Sequence, residues 1–373
     1  MPDAASGLTQ AIRAAARSGA RLMPRGAGRW WPDLAPGVQP LDCAVGAGLT
    51  RLDATDLVAT AGAGSSLADL DRGLAEHGAW LALDPAGPST RTLGGALGSG
   101  AGGPLAAGFG APRDQVLGLT IVAGNGQLVR TGGRVVKNVA GFDLAKLVVG
   151  GHGAFGIVIE AHLRLRARPA ADRTRVWALD DAPASSRALL AAGCTGAAFE
   201  VVSPPLAAAL GIESRWSLLL RSLGTPEGVD EELGAAAEYL GAGAVNAPAE
   251  VWTRWREVVG AWPAVVRVGA DPARWAEAGE LLSDLPDLAG LSVTVPRGTV
   301  RAGYARITPE RLRRLRAACV GRRWPVTLER ADAATRLAAG VWGGLDRRER
   351  SLADALRRVF DPDGVFAVPL WAE

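Results

Sequence analysis

Cysteine is scarce in this chain and widely scattered. The three cysteines, Cys43, Cys194 and Cys319, lie far apart, and none belongs to a C-x-x-C pair. Iron–sulfur clusters and structural zinc sites need several cysteines at short spacing, so the sequence argues against both. An odd number of isolated cysteines also argues against a disulfide framework and favours a reducing compartment.

Long hydrophobic runs are also missing. No stretch approaches the roughly 18 consecutive apolar residues that predict a membrane span. The first residues lack the basic start, apolar core and small-residue cleavage site of a secretory signal. We therefore predict a cytoplasmic protein without a transmembrane segment, which reaches a membrane only peripherally, through partners.

Positive charge is not gathered into any one segment. The formal net charge is +3, from 41 Lys and Arg against 38 Asp and Glu, and arginines are spread along the whole chain. A nucleic-acid-binding protein would concentrate such residues in a basic patch or stripe. Nucleic acid is therefore not an expected partner.

Glycine, in contrast, is abundant. The 49 glycines follow no collagen-like period, so they are expected to form tight turns or to let the backbone approach a ligand. Glycine thins out after about residue 168, whereas nine of the twelve tryptophans follow Pro169. This change in composition predicts two domains, residues 1–168 and residues 169–373, the second carrying the C-terminal tail.

Hydrophobic periodicity predicts the secondary structure. In the first part it predicts helices at 8–18 and 67–77 and strands at 57–61, 80–83 and 157–166. Asn125-Gly126 predicts a hairpin of 117–123 with 127–131, since Asn-Gly suits a type I′ turn. In the second part helices at 226–240, 272–285, 309–320 and 347–359 alternate with strands at 175–179, 197–202, 216–220, 264–268 and 291–295. This is an α+β pattern, an antiparallel sheet covered by helices.

Two segments imitate a dinucleotide-binding fingerprint. Strand 57–61, the loop Gly62-Ala63-Gly64, a helix, a strand and Asp84 follow the order of an NAD site. However, Leu67 stands at the third glycine position, and Asp84 leads into Pro-Ala-Gly-Pro instead of another helix. Residues 98–103 match G-x-G-x-x-G by letter, but Pro104 follows, so no helix is expected to begin there. An NAD-dependent dehydrogenase is therefore the weaker alternative.

Four glycine-rich segments together carry the strongest signal. They read P-R-G-A-G-R at 24–29, D-P at 84–85 with T-L-G-G at 92–95, A-G-G at 101–103, and G-G-H-G-A-F-G-I at 150–157. Their order and spacing resemble the FAD domain of the vanillyl-alcohol-oxidase (PCMH-type) superfamily, over residues 20–166. The resemblance implies two α+β subdomains that bind FAD, followed by a smaller α+β cap domain. One such loop alone is most simply a turn; four in this order predict FAD binding.

The resemblance also assigns individual residues. It implies that two loops hold the FAD pyrophosphate through backbone N–H groups. The first consists of Arg25, Gly26, Ala27, Gly28 and Arg29, and the second of Leu93, Gly94 and Gly95 with Pro85 and Thr92. It places Ser99 and Gly103 beside the flavin, and Gly156, Ile157 and Val158 near the adenine. Covalent attachment in this superfamily uses a His, where this chain has Arg29, or a Cys in the later loops, which we do not find. Non-covalent FAD is therefore expected.

Two further segments resemble a narrower family. K-N-V-A-G-F-D-L at 137–144 is similar to the K-N-V-A-G-Y-D-L of E-type FAD-binding subunits of bacterial glycolate oxidase. F-D-P-D-G-V-F at 360–366 is similar to the C-terminal D-P-x-G-V-F-N-P of that family, with Ala367 in place of Asn. The resemblance implies an oxidoreductase subunit of a glycolate-oxidising complex. Its implied partners are a larger FAD-binding subunit and an iron–sulfur subunit.

Catalytic residues are harder to assign. Stabilising a reduced flavin needs a nearby cation or oriented amide, for which Lys137, Asn138 and Arg113 are the candidates. Each also suits a surface salt bridge or a turn, and for Arg113 that role fits about equally well. Oxidising a 2-hydroxy acid also needs a base, yet all three histidines, His77, His152 and His162, precede residue 168. Ala333 stands where related subunits have a His.

Several functions therefore remain open. The leading prediction is a FAD-bearing subunit that is inactive on substrate when alone. An assembly subunit with a degenerate substrate site and a stand-alone FAD oxidoreductase for another alcohol are the alternatives. Arg330 and Arg336 are candidate carboxylate ligands, although solvent-facing arginines are commoner.

Overall fold

The computed structural model describes residues 2–27, 31, 33–133, 143–241, 243–248, 250–343 and 345–371. The helices in these residues are α1 (Pro2–Ser18), α2 (Leu67–Ala75), α3 (Leu93–Ser99), α4 (Ala106–Phe109), α5 (Leu144–Val148), α6 (Ala182–Ala191), α7 (Pro204–Ala209), α8 (Pro226–Leu240), α9 (Val251–Ala261), α10 (Trp275–Ser283), α11 (Pro309–Val320), α12 (Ala333–Ala339) and α13 (Arg347–Phe360). The strands are β1 (Arg21–Arg25), β2 (Val38–Asp42), β3 (Leu49–Asp53), β4 (Val58–Gly62), β5 (Ala79–Trp80), β6 (Val116–Val122), β7 (Leu128–Gly132), β8 (Ile157–Arg164), β9 (Arg166–Ala167), β10 (Ala171–Ala178), β11 (Ala198–Val202), β12 (Ser217–Gly224), β13 (Val245–Asn246), β14 (Ala264–Gly269), β15 (Leu288–Thr294), β16 (Thr299–Tyr304), β17 (Val326–Arg330) and β18 (Trp342–Gly343).

The first half of the chain builds a five-stranded antiparallel sheet in the order β3-β4-β8-β6-β7. Strands β1 and β2 pair in parallel beside it, and β5 pairs with β9. Strand β8 alternates buried and half-buried residues in its second half, which is the pattern of a strand with one face on a core. These sheets surround one hydrophobic core.

The second half builds a nine-stranded sheet in the order β13-β10-β12-β11-β15-β16-β14-β17-β18. Every pairing in it is antiparallel. Two hydrophobic clusters form between this sheet and its helices, one including α8, α10 and α11 and the other α7 and α9. The mixed α+β fold expected from the sequence is confirmed.

The C-terminal residues return to the first core. Val341, Phe360 and Phe366 belong to the same hydrophobic cluster as the five-stranded sheet. The amide of Leu22 donates to the carbonyl of Val365 at 2.8 Å, and the amide of Ala367 donates to the carbonyl of Leu22 at 2.8 Å. The domain boundary near residue 168 stays a prediction. The C-terminal tail, which follows that boundary, packs into the core that is built mainly by the residues before it.

Most predicted elements agree with the structure, and three details differ. Strand 80–83 shrinks to the two residues of β5. The predicted hairpin forms, but Asn125 does not have a positive φ; Gly126 does, at +72°. The turn is therefore not type I′: the amide of Gly126 closes it on the carbonyl of Ala123 at 2.8 Å. Helix α3 was not predicted.

The NAD-type alternative is wrong. Strand β4 lies within the antiparallel five-stranded sheet, whereas β5 pairs with β9 in a separate ribbon. The segment therefore lacks the two neighbouring parallel strands that a dinucleotide-binding βαβ unit requires. Among the helices of the described residues, none is long and apolar enough to cross a bilayer.

Candidate functional site

A cavity of about 460 Å³ lies where three of the four glycine-rich segments meet the second half of the chain. This volume is typical of a ligand pocket. Ten of the residues predicted to contact FAD line it: Arg25, Gly26, Ala27, Thr92, Gly94, Gly95, Ser99, Gly156, Ile157 and Val158. The remaining lining residues are Pro24, Trp31, Cys43, Ala86, Gly87, Pro88, Arg91, Gly98, Val148, His152, Gly153, Gly260 and Arg330.

The first loop packs directly on the second segment. A Cβ added to Gly26 would overlap the hydroxyl of Thr92 and lie 3.8 Å from the Cα of Gly95. The loop follows β1, whose last residue Arg25 accepts from the amide of Cys43 at 2.8 Å through its carbonyl. Only glycine fits here, as the resemblance implied. Gly28 and Arg29 lie outside the described residues.

The second segment forms the start of α3. Thr92 caps this helix by accepting a hydrogen bond from the amide of Gly95 at 3.2 Å. The amide of Leu93 donates to the carbonyl of Ser65 and that of Gly94 to the carbonyl of Ala63, both at 2.8 Å. These amides already have partners, so the predicted role of Leu93 and Gly94 as donors to the pyrophosphate is not supported by this arrangement. The Leu93 side chain lies in the core and does not line the cavity.

Residues 98–103 do not form the open run of amides expected from the sequence. Gly98 and Ser99 belong to α3, and the amide of Gly100 donates to the carbonyls of Ala96 and Leu97, both at 3.1 Å. Gly103 packs against Asp84 instead of the cavity. The signal that was missed is Thr92 followed by small and apolar residues up to Gly100, which has φ +60° at the helix end.

Arg91 is a buried cation of the cavity wall that the sequence analysis missed. Its guanidinium donates to the carbonyls of Ala86 at 2.8 Å and Gly95 at 3.2 Å, and to the hydroxyl of Ser99. Burial lowers the pKa of Arg91 to about 10, which still leaves it charged at neutral pH. Its position just before Thr-Leu-Gly-Gly was the only available signal.

The fourth segment brings His152 and two strained glycines to the cavity. Gly153 and Gly156 have φ of +90° and +121°, and a Cβ on Gly153 would lie 2.8 Å from Cγ of Pro24. The His152 ring stacks on Trp31 with centroids 4.8 Å apart, and its buried Nε2 has no hydrogen-bond partner within the described part of the chain. Burial lowers the pKa of His152 to about 3, so the imidazole is neutral at physiological pH.

Helix α9 and strand β17, in the second half of the chain, supply another wall. Gly260 and Arg330 line the cavity, and the Arg330 guanidinium donates to the carbonyl of Gly260. Arg336 does not line it and is not solvent-facing: only 1% of it is exposed, and it is bonded to Asp33 at 2.9 Å. Of the two arginines considered for a carboxylate, only Arg330 is at the site.

The remaining predicted residues do not converge there. Pro85 is buried and Arg113 is exposed, and neither lines the cavity. Lys137 and Asn138 lie outside the described residues. The catalytic assignments of Lys137, Asn138 and Arg113 therefore stay predictions.

Two carboxylates close to Ala333 in the sequence, Glu329 and Asp332, are engaged elsewhere. Glu329 accepts from Arg267 at 2.6 Å and from Arg301 at 2.8 Å. Burial alone would raise the pKa of Glu329, but these two guanidinium groups lower it to about 2. Asp332 caps α12 by accepting from the amide of Thr335 at 2.7 Å. An ion-paired carboxylate of such low pKa is a weak base.

Cys43 lines the cavity, a position that the sequence did not indicate. Its thiol donates to the carbonyl of Leu41 at 3.2 Å. Burial, and then the nearby charge of Asp42, raise the pKa of the Cys43 thiol to about 12. Since the thiolate is the nucleophilic form, this cysteine is unreactive at neutral pH.

The residues present fit a dinucleotide. The described lining contains the cations Arg25, Arg91 and Arg330 and no Asp or Glu. Guanidinium groups bind phosphate oxygens strongly, so the wall suits a ligand with negative charge. Gly26 lines the cavity, and its missing side chain lets the first loop pack closely on Thr92.

Comparisons with known proteins agree with this fit. A model of the FAD binding domain family matches residues 1–132. Glycolate oxidase subunit GlcE of Escherichia coli is 38% identical over 134 residues, which cover 36% of this chain and 38% of that protein. Glycolate oxidase subunit GlcD of Bacillus subtilis is 32% identical over 160 residues, which cover 42% of this chain and 34% of that protein. The matched segment thus spans little more than a third of either relative.

A solved structure matches nearly the whole chain. Alkyldihydroxyacetonephosphate synthase aligns with a TM-score of 0.67 over 97% of this chain and 75% of its own, at 15% identity. At this identity the likeness shows the shared fold alone. Residues 1–132 therefore match an FAD binding domain, and FAD is the cofactor that this match and the FAD-linked relatives support.

Proposed function

We propose that the chain is a FAD-bearing subunit of a complex that oxidises glycolate or a related 2-hydroxy acid, and that it holds FAD non-covalently in the cavity. The convergence of three glycine-rich segments on one arginine-lined cavity carries the proposal of FAD at this place. The similarity to glycolate oxidase subunits, and to a D-lactate dehydrogenase of Archaeoglobus fulgidus that is 36% identical over 115 residues, supports the substrate class. Bound FAD would supply hydride and electron acceptance.

Different residues of the cavity wall contribute to FAD binding in different ways. Gly26 and Gly156 line the cavity and pack, without side chains, on Thr92 and on β6, while the Arg91 guanidinium fixes α3 and adds positive charge to the wall. Trp31 and His152 form an aromatic part of the wall. The high pKa of the Cys43 thiol argues against a thioether to the flavin.

Acid precipitation of the purified, FAD-loaded chain tests whether FAD is bound covalently or non-covalently. We expect a flavin absorption band that passes entirely into the supernatant, because no covalent bond holds the cofactor. Retention of yellow colour in the pellet would contradict the proposed attachment. Absence of a flavin band after saturation with FAD would contradict the binding proposal itself.

The subunit role rests on the lack of a competent base among the described residues that line the cavity. His152 is neutral but has a pKa of about 3, and Glu329 has a pKa of about 2, so both bind a proton weakly. All three histidines precede residue 168. These observations favour a chain that needs the larger FAD-binding subunit, and the iron–sulfur subunit as electron acceptor, for turnover.

This requirement can be tested by anaerobic mixing of the FAD-loaded chain with glycolate or D-lactate. We expect the flavin absorbance to persist with either substrate alone, while dithionite bleaches it as the control for redox competence. Adding the partner subunits should allow glycolate to reduce the complex. Rapid bleaching by substrate without partners would show that the chain has a complete active site.

A further inference from the structure

The cavity wall made by Trp31 and His152 is held in place from the nine-stranded sheet side. The Trp31 indole donates to the carbonyl of Glu329 at 3.4 Å. The Arg336 guanidinium lies 5.0 Å from the Trp31 ring centre, within reach of a cation–π contact. Trp31 in turn stacks on His152. The wall is thus continuous with β17 and α12.

Asp33 provides the second fixed point, two residues after Trp31. Arg336 donates to its carboxylate at 2.9 Å and to its carbonyl at 2.8 Å, and the amide of Ala333 donates to the other carboxylate oxygen. Burial would raise the pKa of Asp33, but these hydrogen bonds outweigh it and lower the pKa, so the carboxylate is charged at neutral pH. We define the Arg336 anchor as the contacts of Arg336 with Asp33 and Trp31.

Arg336 and Asp33 differ in solvent access. This difference decides how much free energy is lost when their contact is broken. The Arg336 side chain is 2% exposed, whereas that of Asp33 is 42% exposed. If Arg336 is replaced by an apolar residue, Asp33 can be solvated and the pocket of the side chain stays filled. The expected consequence is a loosened wall at the cavity, with the fold retained.

We propose that Arg336, which lies outside the cavity, is a positioning residue for FAD: through Asp33 and Trp31 it sets the wall against which the cofactor binds. The inference rests on the proposed binding of FAD in this cavity. It makes cofactor retention depend on the second half of the chain, although the family domain lies in residues 1–132. A rearrangement of α12 would therefore alter FAD affinity.

The test compares FAD dissociation constants, measured by fluorescence titration of the flavin-free chain. We expect Arg336→Leu to weaken binding about tenfold or more, which corresponds to ~1.4 kcal/mol. Arg336→Lys should weaken it less, because lysine keeps the charge but cannot make the two-pronged contact. Arg313→Leu, on the exposed face of α11, is the matched control and should leave the affinity unchanged.

Thermal unfolding of the flavin-free variants separates positioning from a general loss of stability. Unchanged FAD affinity in Arg336→Leu would overturn the proposal. A loss of affinity that is accompanied by a lower unfolding midpoint of the flavin-free variant would also overturn it, because the loss would then reflect reduced stability. If Arg336→Leu does not fold, Asp33→Asn decides, since it weakens the anchor at a half-exposed residue. Failure of the unaltered chain to bind FAD would instead refute the proposed function.

Discussion

Gly26 illustrates how a single atom can decide cofactor binding at the residue scale. The Cβ it lacks would occupy the place of the Thr92 hydroxyl, which caps α3. The same absence keeps the backbone of the first loop open to the cavity. One substitution therefore disturbs both the loop and the helix cap beside it.

We predict that Gly26→Ala lowers FAD affinity by at least tenfold and lowers stability by about 1 kcal/mol through the lost cap. Affinity can be followed by flavin fluorescence and stability by urea unfolding. Gly234→Ala is the control, because its added Cβ meets nothing within 4 Å and it lies in α8, away from the cavity. Equal FAD affinity of Gly26→Ala and the unaltered chain would contradict the role of the first loop.

Glycines that need space could be recognised from the sequence, whereas several wall residues could not. Gly26 and Gly156 stand within motifs whose spacing is local. Trp31, Arg91 and Cys43 reach the cavity only because distant segments fold together, and nothing in their immediate neighbours marks them. Arg336 was a candidate carboxylate ligand, but its burial against Asp33 could not be foreseen, for the same reason.

At the scale of secondary-structure elements, the ends of helices were predictable where capping residues are present. The limits of α8 and α11 agree with the structure, and Thr225 and Thr308 cap them by accepting from amides at 3.2 and 3.3 Å. Helix α3 was missed because four of its seven residues are glycine or serine within a motif read as a loop. There the cap and core contacts override weak intrinsic propensity.

Strand β11 carries a buried carboxyl group with one unpartnered oxygen. Glu200 accepts from the Ser292 hydroxyl at 2.5 Å, and its Oε2 has no hydrogen-bond partner among the described residues. Burial raises the pKa of Glu200 to about 7 from its ordinary 4.5, although Ser292 and Arg301 act to lower it. The strand therefore favours the protonated acid.

This shift predicts a pH-dependent stability. The pKa of Glu200 is higher in the folded than in the unfolded state, so protonated Glu200 stabilises the fold. This contribution is fully present below about pH 4.5 and is lost as pH rises through about 7. The Glu200→Gln variant mimics the neutral acid. We expect its free energy of unfolding to rise relative to that of the unaltered chain, by on the order of 1 kcal/mol per pH unit across that window. Urea unfolding between pH 5 and 8 measures the difference, with Glu238→Gln on the exposed face of α8 as control. A constant difference across the window would contradict the prediction.

At the scale of the whole molecule, the FAD-binding fold was predictable from four motifs in order, but the shape of the cavity was not. Periodicity alone predicted an antiparallel sheet covered by helices in the second part, and the structure has one. The contribution of Gly260 and Arg330 to the cavity depends on how that sheet docks on the first core, where contacts join residues far apart in the chain. Local sequence patterns carry no record of such packing.

The pairing of Leu22 with Val365 and Ala367 has a consequence for how the protein is made. A ribosome releases Leu22 long before its two partners. The hydrophobic core beside the cofactor cavity therefore stays open until residues 365–367 have been translated. Early FAD capture by a nascent N-terminal fragment is disfavoured, and a polypeptide cut off before residue 360 leaves β1 paired with β2 alone.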